Sequence, residues 1–357
     1  MSFSVDTPRI VDFLSGLLNT PSPTGYHDRA MAYVRQSLAD LGLTGLSVSE
    51  TRKGALVLTL DGHSADALRA FSAHIDTLGG MVREIKSNGR LLLTQLGGYA
   101  WNAVEGENVT VYGVHSGCEI RGTIQTIHPS VHTSQAARSG KRDDENMEVR
   151  LDARTQSKEE TQALGIDVGD LVFFDPRVEI TDTGYIKSRH LDDKAGVAVL
   201  YGALLTLAQH GLTPAQRTTF FLSNYEEVGH GAAAGIPGDV VELVVVDMAA
   251  STTGEHQNSD EYSVGICAKD TTGPYDLALR RRLVDLCIAH NLPYRLDTYP
   301  SYGSDGSAFL RAGGDVRVGL IGPGVDASHA YERTHIESLE ATVRLVVHYL
   351  LDAGDAG

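Results

Sequence analysis

The sequence predicts an α/β protein with a mixed, mostly parallel sheet covered by helices on both faces, into which a small all-β domain is inserted. Three observations carry this. Short apolar runs alternate with helical periodicity at both ends of the chain. Between them the pattern changes to short segments of valine, threonine and glycine separated by turn residues. Clusters of acids and histidine recur at the ends of the apolar runs, where ligands of open α/β sheets bind. The expected division is a host domain of residues 1–78 and 173–357 around an insert of residues 79–172.

The elements follow in order. Over Asp28–Leu41, Met31, Val34, Leu38 and Leu41 recur at helical spacing and Gly42 supplies the stop. Ala55–Leu60 and Leu68–Ala73 are apolar runs of strand length. The insert shows strand-like segments NVTVYGV, EIRGTIQTI and MEVRLDA, with an exposed loop expected at HTSQAARSGKRDDEN. Beyond it, Lys194–Gln209 is expected as a helix, Thr218–Ser223 and Leu243–Val246 as strands, and Leu277–Ala289 as a helix. Val316–Ile321 is a further strand and Ile336–Leu351 the closing helix. The uncharged stretch Ala195–Gln216 contains Gly202, Thr206, Gln209 and Pro214, so it is expected as an amphipathic helix and a turn, not a membrane span.

Composition narrows the function. The 357 residues hold 46 Asp+Glu against 30 Lys+Arg, a net charge of −16 with histidine neutral. That excess argues against a grip on nucleic acid or on an anionic membrane. Arg280, Arg281 and Arg282 are expected on a solvated helix face, and Gly303 and Gly306 form no nucleotide loop. A hydrophobic fraction of 42% and a charged fraction of 21% are those of a globular chain. Three scattered cysteines build no disulfide framework, and the start MSFSVDTPRIVDFL lacks the pattern of a signal peptide. A cytoplasmic location is the expectation.

Four clusters carry candidate chemistry: AHIDTLGG with His74 and Asp76, SRHLDDKAG with Asp192 and Asp193, SNYEEVGHGAAAG with Glu226 and Glu227, and VVVDMA with Asp247. Each alone has an ordinary explanation, such as a helix cap for the paired aspartates or a surface pair for the glutamates. Asp247 resists one, because a charge that ends an apolar strand must leave the core into something. Converging carboxylates and an imidazole repel or desolvate one another unless a cation neutralises them, and such mixed ligands suit divalent Zn, Co or Mn. There are enough carboxylates for two ions. His190, Tyr302, Asp305 and Trp101 are read first as loop, turn or packing residues.

The order HxD, DD[KR]AG, EEVG and an aspartate after a valine run resembles the co-catalytic metallopeptidases. It is most similar to the deblocking, glutamyl and tetrahedral aminopeptidase family, some of whose members are labelled cellulases or endoglucanases. AHIDTLGGMV resembles that family's AHxDxxGFMV, HLDDKAG its ALDDRAG, and NYEEVGHGAA its xQEEVGxRGA. The likeness extends to GIDVGDLVFFD, GTIQTIHPSVH and YGSDGSAFLRAGG, so it spans nearly the whole chain. The segment GPGVDASHAYERTH looks like that of members associated with the osmolyte N-acetylglutaminylglutamine amide.

The resemblance implies a zinc-exopeptidase-like fold and a metal-dependent aminopeptidase acting on short peptides. Carried onto this sequence, it makes Asp192 the bridge between two divalent ions, with a cis Asp192–Asp193 peptide. His74 and Asp247 complete one position, and Glu227 with a C-terminal histidine the other. Glu226 becomes the general base for the activated water, and Asp76 orients His74. The family's Arg-Tyr-x-His-Ser-Pro-like segment is replaced here by SHAYERTHIES. His335 fits it best, since it follows Arg333 and directly precedes the closing helix, and His329 is the rival. The insert is implied to mediate dimerisation, with dimers stacked into homo-oligomers of up to twelve subunits. Competing readings are another amide hydrolase (deacylase or dipeptidase), a glycosidase using Glu226 with a second carboxylate, and a non-enzymatic assembly protein. A glycosidase needs neither imidazole nor bridging aspartate.

Overall fold

The computed structural model describes residues 3–252 and 256–354, so Met1 and Ser2 of the amino-terminal segment lie outside it. The main sheet has 13 strands. Its central four, Gln216–Ser223, Ser64–His74, Val240–Val246 and Arg317–Asp326, run side by side and parallel. Antiparallel pairs extend it on both sides, through Leu56–Leu60 on one and Val264–Asp270 and Glu332–His335 on the other. The sheet is therefore mixed with a parallel centre.

Strand side chains alternate between two cores, which is why these runs are apolar on both faces. Phe71, Phe220, Leu222, Val244 and Val246 face one core, beneath the helices Thr7–Leu18, Leu191–His210 and Ile336–Leu351. Ala70, Phe221, Leu243 and Val245 face the other, where the short helix Asp305–Arg311 packs. Helices cover both faces, as expected.

Two differences from the expected elements have physical reasons. The helix Leu191–His210 is not amphipathic: every residue from Leu191 to Leu207 is buried. It lies between the sheet and the helices Thr7–Leu18 and Ile336–Leu351, so it has no solvent face before its last three residues. The helix Thr7–Leu18 itself was not among the expected elements. Asp6 caps it by accepting from the Arg9 amide at 3.3 Å, Pro8 sits in its first turn, and Ile10, Phe13, Leu14 and Leu17 form its buried stripe. Among the described residues no helix is long and apolar enough to cross a membrane.

The insert closes into a six-stranded barrel. Strands Gly79–Ile85, Leu91–Leu96, Met147–Leu151, Glu119–Thr126, Asn108–Tyr112 and Leu171–Phe174 neighbour one another in that order and return to the first. Its own core contains Val82, Leu93, Val109, Ile124, Val149 and Phe174, with Trp101 packed into it. Closure gives every strand a neighbour on both sides. The loop 132–146 carries no buried residue and forms only one short helical turn, Ala136–Ser139.

Candidate metal centre

The parallel register brings the acidic clusters together. His74 ends its strand opposite Ser223, and the Glu226–Val228 turn lies three residues beyond. Asp247 follows Val246 on the neighbouring parallel strand, and its amide donates to Ile321. All three therefore emerge at one edge, the carboxyl ends of the strands, and the start of the helix Leu191–His210 lies against it. The Asp192–Asp193 peptide is cis, and both residues are non-helical within that first turn.

Asp192 stands between two imidazoles. Its Oδ1 is 3.1 Å from His74 Nε2 and its Oδ2 is 3.3 Å from His329 Nε2. His329 Nε2 is also 3.7 Å from Glu227 Oε2, and His74 Nε2 is 3.8 Å from Glu226 Oε2. Two sets of ligand atoms lie within 4.8 Å of one another: His74, Asp193 and Asp247, and His74, Asp192 and Glu227. Glu227 and Glu226 differ in their access to solvent, with side chains 3% and 16% exposed. Glu227 lies within reach of both histidines, and Glu226 is the more exposed of the two glutamates.

Several residues hold these groups in place. His74 Nδ1 bonds the Asp76 carbonyl at 2.9 Å, which leaves Nε2 directed at Asp192. Asp76 thus orients His74 through its backbone. Its carboxylate, with Oδ1 3.7 Å from His74 Nδ1, makes its hydrogen bonds elsewhere. It accepts from Thr24 Oγ1 at 2.7 Å and from the amides of Glu226 at 3.1 Å and Glu227 at 3.3 Å, fixing the turn that bears both glutamates. Asp193 accepts from the His74 amide at 3.2 Å and the Gly196 amide at 3.1 Å. Glu332 accepts from the Asp192 amide at 3.1 Å and the His329 amide at 3.0 Å, tying the two segments together.

The expected ligand His335 is elsewhere. Its Nδ1 accepts from the Glu337 amide at 3.2 Å as the N-cap of the closing helix, and its Nε2 bonds the Thr183 carbonyl at 2.9 Å. Both ring nitrogens are engaged away from the acids, and His329, at φ 63°, takes the place beside Asp192 and Glu227. Glu332 is the residue of this cluster that sequence reasoning missed, and Asp193 is one that it placed among the candidates without a role. The signal for the first is its spacing, three residues after His329, the reach of a carboxylate back to a loop amide.

The other candidates sort readily. Tyr302 donates to the Met248 carbonyl at 2.8 Å beside Asp247. Asp305 accepts from Ser72 Oγ at 2.6 Å and the Ala232 amide at 2.8 Å, so it braces the loop after Glu227. His190 is buried in the left-handed region, and burial together with Lys194 and Arg189 holds it neutral. Arg282, expected in solvent, instead pairs with Asp352 at 2.6 Å and Glu242 at 3.2 Å.

The charges of the cluster are unbalanced. Burial, with the charge of Asp247 adding to it, pushes Asp193 well above the carboxylate range. Burial and then Asp192 push Asp247 up to about 7. Glu226 and Glu227 are raised well above their usual values, in each case first by burial. Asp192 is the exception: despite its burial, hydrogen bonds with His329 and His74 hold it below the ordinary range. Lys194, the nearest buried ammonium in sequence, bonds the Leu17 carbonyl at 3.0 Å and the Thr20 carbonyl at 2.6 Å instead. Glu227 Oε1 is buried without a hydrogen-bond partner. Inward oxygen and imidazole donors, surplus negative charge and an orphaned carboxylate oxygen fit divalent cations.

A family model described as M42 glutamyl aminopeptidase matches residues 54–345. YhfE of Bacillus subtilis (strain 168), named as an aminopeptidase, is 44% identical over 342 residues, covering 96% of this chain and 97% of that protein. Among solved structures, the TET aminopeptidase of the marine sediment archaeon Thaumarchaeota archaeon SCGC AB-539-E09 superposes with a TM-score of 0.86 at 17% identity, covering 97% of this chain and 96% of that one. The TET1 peptidase of Pyrococcus horikoshii, described as assembling into a tetrahedron or a large octahedral shell, gives 0.82 at 21% identity, covering 96% and 99%.

Proposed function

This chain belongs to the M42 glutamyl aminopeptidase family of metal-dependent peptide-bond hydrolases, and on that premise we propose that it removes N-terminal residues from short peptides at a two-cation site. Asp192 would contribute to both cation positions, with His74 and Asp247 holding one and Glu227 and His329 the other. Asp193 lies close enough to His74 and Asp247 to belong to the first set. When bound, divalent Zn, Co or Mn supplies Lewis acidity, polarising the scissile carbonyl and acidifying water.

The protein's own residues do the rest. Glu226, at the rim of the cluster, takes the proton of the attacking water on its carboxylate and returns it to the leaving amine. Asp76 holds that carboxylate in register through the Glu226 amide. The acids that surround the opening pair with a substrate's free α-ammonium, which sets an exopeptidase register. The observation that carries this reading is the buried orphan Glu227 Oε1 among acids that share only two imidazoles.

The test is a panel of aminoacyl chromogenic substrates assayed with Zn, Co and Mn against a chelated control. Metal-dependent release of N-terminal residues is expected. Full activity in chelator would overturn the metal-dependent reading, no activity on any of them would leave room for a glycosidase, and activity confined to acylated or dipeptide substrates would turn the assignment toward another amide hydrolase. We also propose that the barrel mediates dimerisation within a homo-oligomer, in keeping with the shells described for the Pyrococcus horikoshii relative. A monomer by light scattering at micromolar concentration would overturn that. Three unpaired cysteines, Cys118, Cys267 and Cys287, accord with a cytoplasmic setting.

A further inference from the structure

The inserted barrel reaches into the candidate metal centre. The carbonyl of Gly98, just beyond the barrel strand Leu91–Leu96, accepts from His329 Nδ1. That bond fixes the tautomer in which Nε2, the nitrogen facing Asp192 and Glu227, carries the lone pair. The neighbouring Gly97 lies against Glu227: a Cβ there would stand 3.4 Å from Glu227 Cβ and only 2.4 Å from Leu78 Cδ2. Its φ of 78° also favours glycine.

A second link runs through Arg189, three residues before Asp192 and only 3% exposed in its side chain. Its Nη2 donates to Glu107 Oε1 at 2.9 Å and to the Ala103 carbonyl, both in the barrel. Its Nη1 donates to the Ala330 carbonyl at 3.1 Å, on the residue next to His329. One guanidinium therefore joins the barrel, the His329 loop and the segment leading to Asp192. A buried ion pair adds little net stability, and its best-attested use is to fix one arrangement of parts.

Resting on the two-cation reading above, we infer that the barrel is a positioning element for one of the two ions. Gly98 aims His329, and the Glu107–Arg189 pair holds the loop that bears it. Arg189 and Glu107 touch neither ion nor substrate and act through His329. Loosening them weakens the ion held by Asp192, Glu227 and His329, and spares the one held by His74 and Asp247.

The test is calorimetric titration of Zn²⁺ into the metal-stripped full-length protein, comparing wild type with Arg189→Met, Glu107→Gln and His329→Ala. For Arg189→Met and Glu107→Gln the expected result is a loss of about 10–100-fold in affinity at one site, the usual effect of removing a ligand's supporting partner, with the other unchanged. Wild-type affinity at both sites in a folded Arg189→Met or Glu107→Gln protein would overturn the inference, as would equal weakening of both. Glu107→Gln keeps the side chain's shape, so it decides the matter if Arg189→Met does not fold. His329→Ala separates the two levels. If it still binds two ions with wild-type affinity, the ligand assignment fails. If it loses one ion while the other two variants behave as wild type, only the barrel's role fails.

Discussion

The strand Val240–Val246 carries a buried acid near each end, and the two ends solve the problem of burying charge differently. Near its amino end Glu242 is surrounded by cations and a donor: Arg282 Nη1 at 3.2 Å, Arg317 Nη1 at 3.3 Å, Arg69 Nε at 3.6 Å and the Tyr349 hydroxyl at 2.6 Å. Directly after its carboxyl end, Asp247 joins Asp192, Asp193, Glu226 and Glu227 with no lysine or arginine paired to any of them among the described residues. Glu242 is complete within the protein. The other cluster is balanced only by something added. A buried carboxylate with its own cations reads as structure, whereas a crowd of them sharing two imidazoles reads as a site.

Substitutions at the two ends separate these roles. The largest effect is expected for Glu226→Gln, with turnover down by about 10²–10⁴-fold and metal content and melting temperature unchanged. Steady-state kinetics beside metal analysis checks this, and near-wild-type turnover would remove the general base from the scheme. At the opposite end, Glu242→Gln leaves the Arg69 and Arg317 guanidinium groups without their counter-charge, while Arg282 keeps Asp352. Unfolding in denaturant is expected to show a loss of about 3 kcal/mol, the low end for a broken buried pair because the Arg317 side chain is 57% exposed. Turnover per folded molecule stays at the wild-type level.

Asp247→Asn is expected to invert that sign. In the metal-free protein it removes a repelling charge and raises the melting temperature, while the metal-loaded protein becomes less stable than wild type. Differential scanning with and without Zn²⁺ reads both. A smaller effect appears in the pH dependence of the metal-free protein. Asp247 is raised from 3.8 to about 7 in the fold, so the folded state binds a proton in that window that the unfolded chain does not. Its contribution is full below about pH 4 and is lost as the pH rises through 7. Metal-free stability should therefore fall between those values, and bound cations should flatten the slope. His335→Ala is the smallest change: about 1 kcal/mol, as for other lost N-caps, with no change in metal stoichiometry.

Much of this contrast was legible in the sequence because it rests on strand ends. HxD, the paired glutamates and Asp247 each follow an apolar run, and parallel pairing places such ends side by side. The paired aspartates were legible as a unit with a cis peptide. What sequence alone missed depends on three-dimensional contact. His329 and His335 both lie near Arg333, and they are distinguished by contacts in space: Glu332 ties the His329 amide to that of Asp192, while the ring nitrogens of His335 are taken up by the Glu337 amide and the Thr183 carbonyl. Asp76 was legible as a support, but its carboxylate grips the glutamate turn while its carbonyl orients His74. The cations around Glu242 come from three separate segments, so nothing in the run Arg280–Arg282 marks Arg282 as paired. Likewise Leu191–His210 has the composition of a half-exposed helix, and only its covering by Thr7–Leu18 and Ile336–Leu351 makes it central.

In the proposed scheme the acids beyond Val246 hold two divalent cations, with His329 as the carboxy-terminal ligand. Metal content after equilibration with Zn²⁺ and removal of free ion tests it most directly, measured on wild type, His329→Ala and His335→Ala side by side. Two ions per chain are expected in wild type and His335→Ala, and one in His329→Ala. A single ion or none in folded wild-type protein, or loss of an ion from His335→Ala with two retained in His329→Ala, would contradict it.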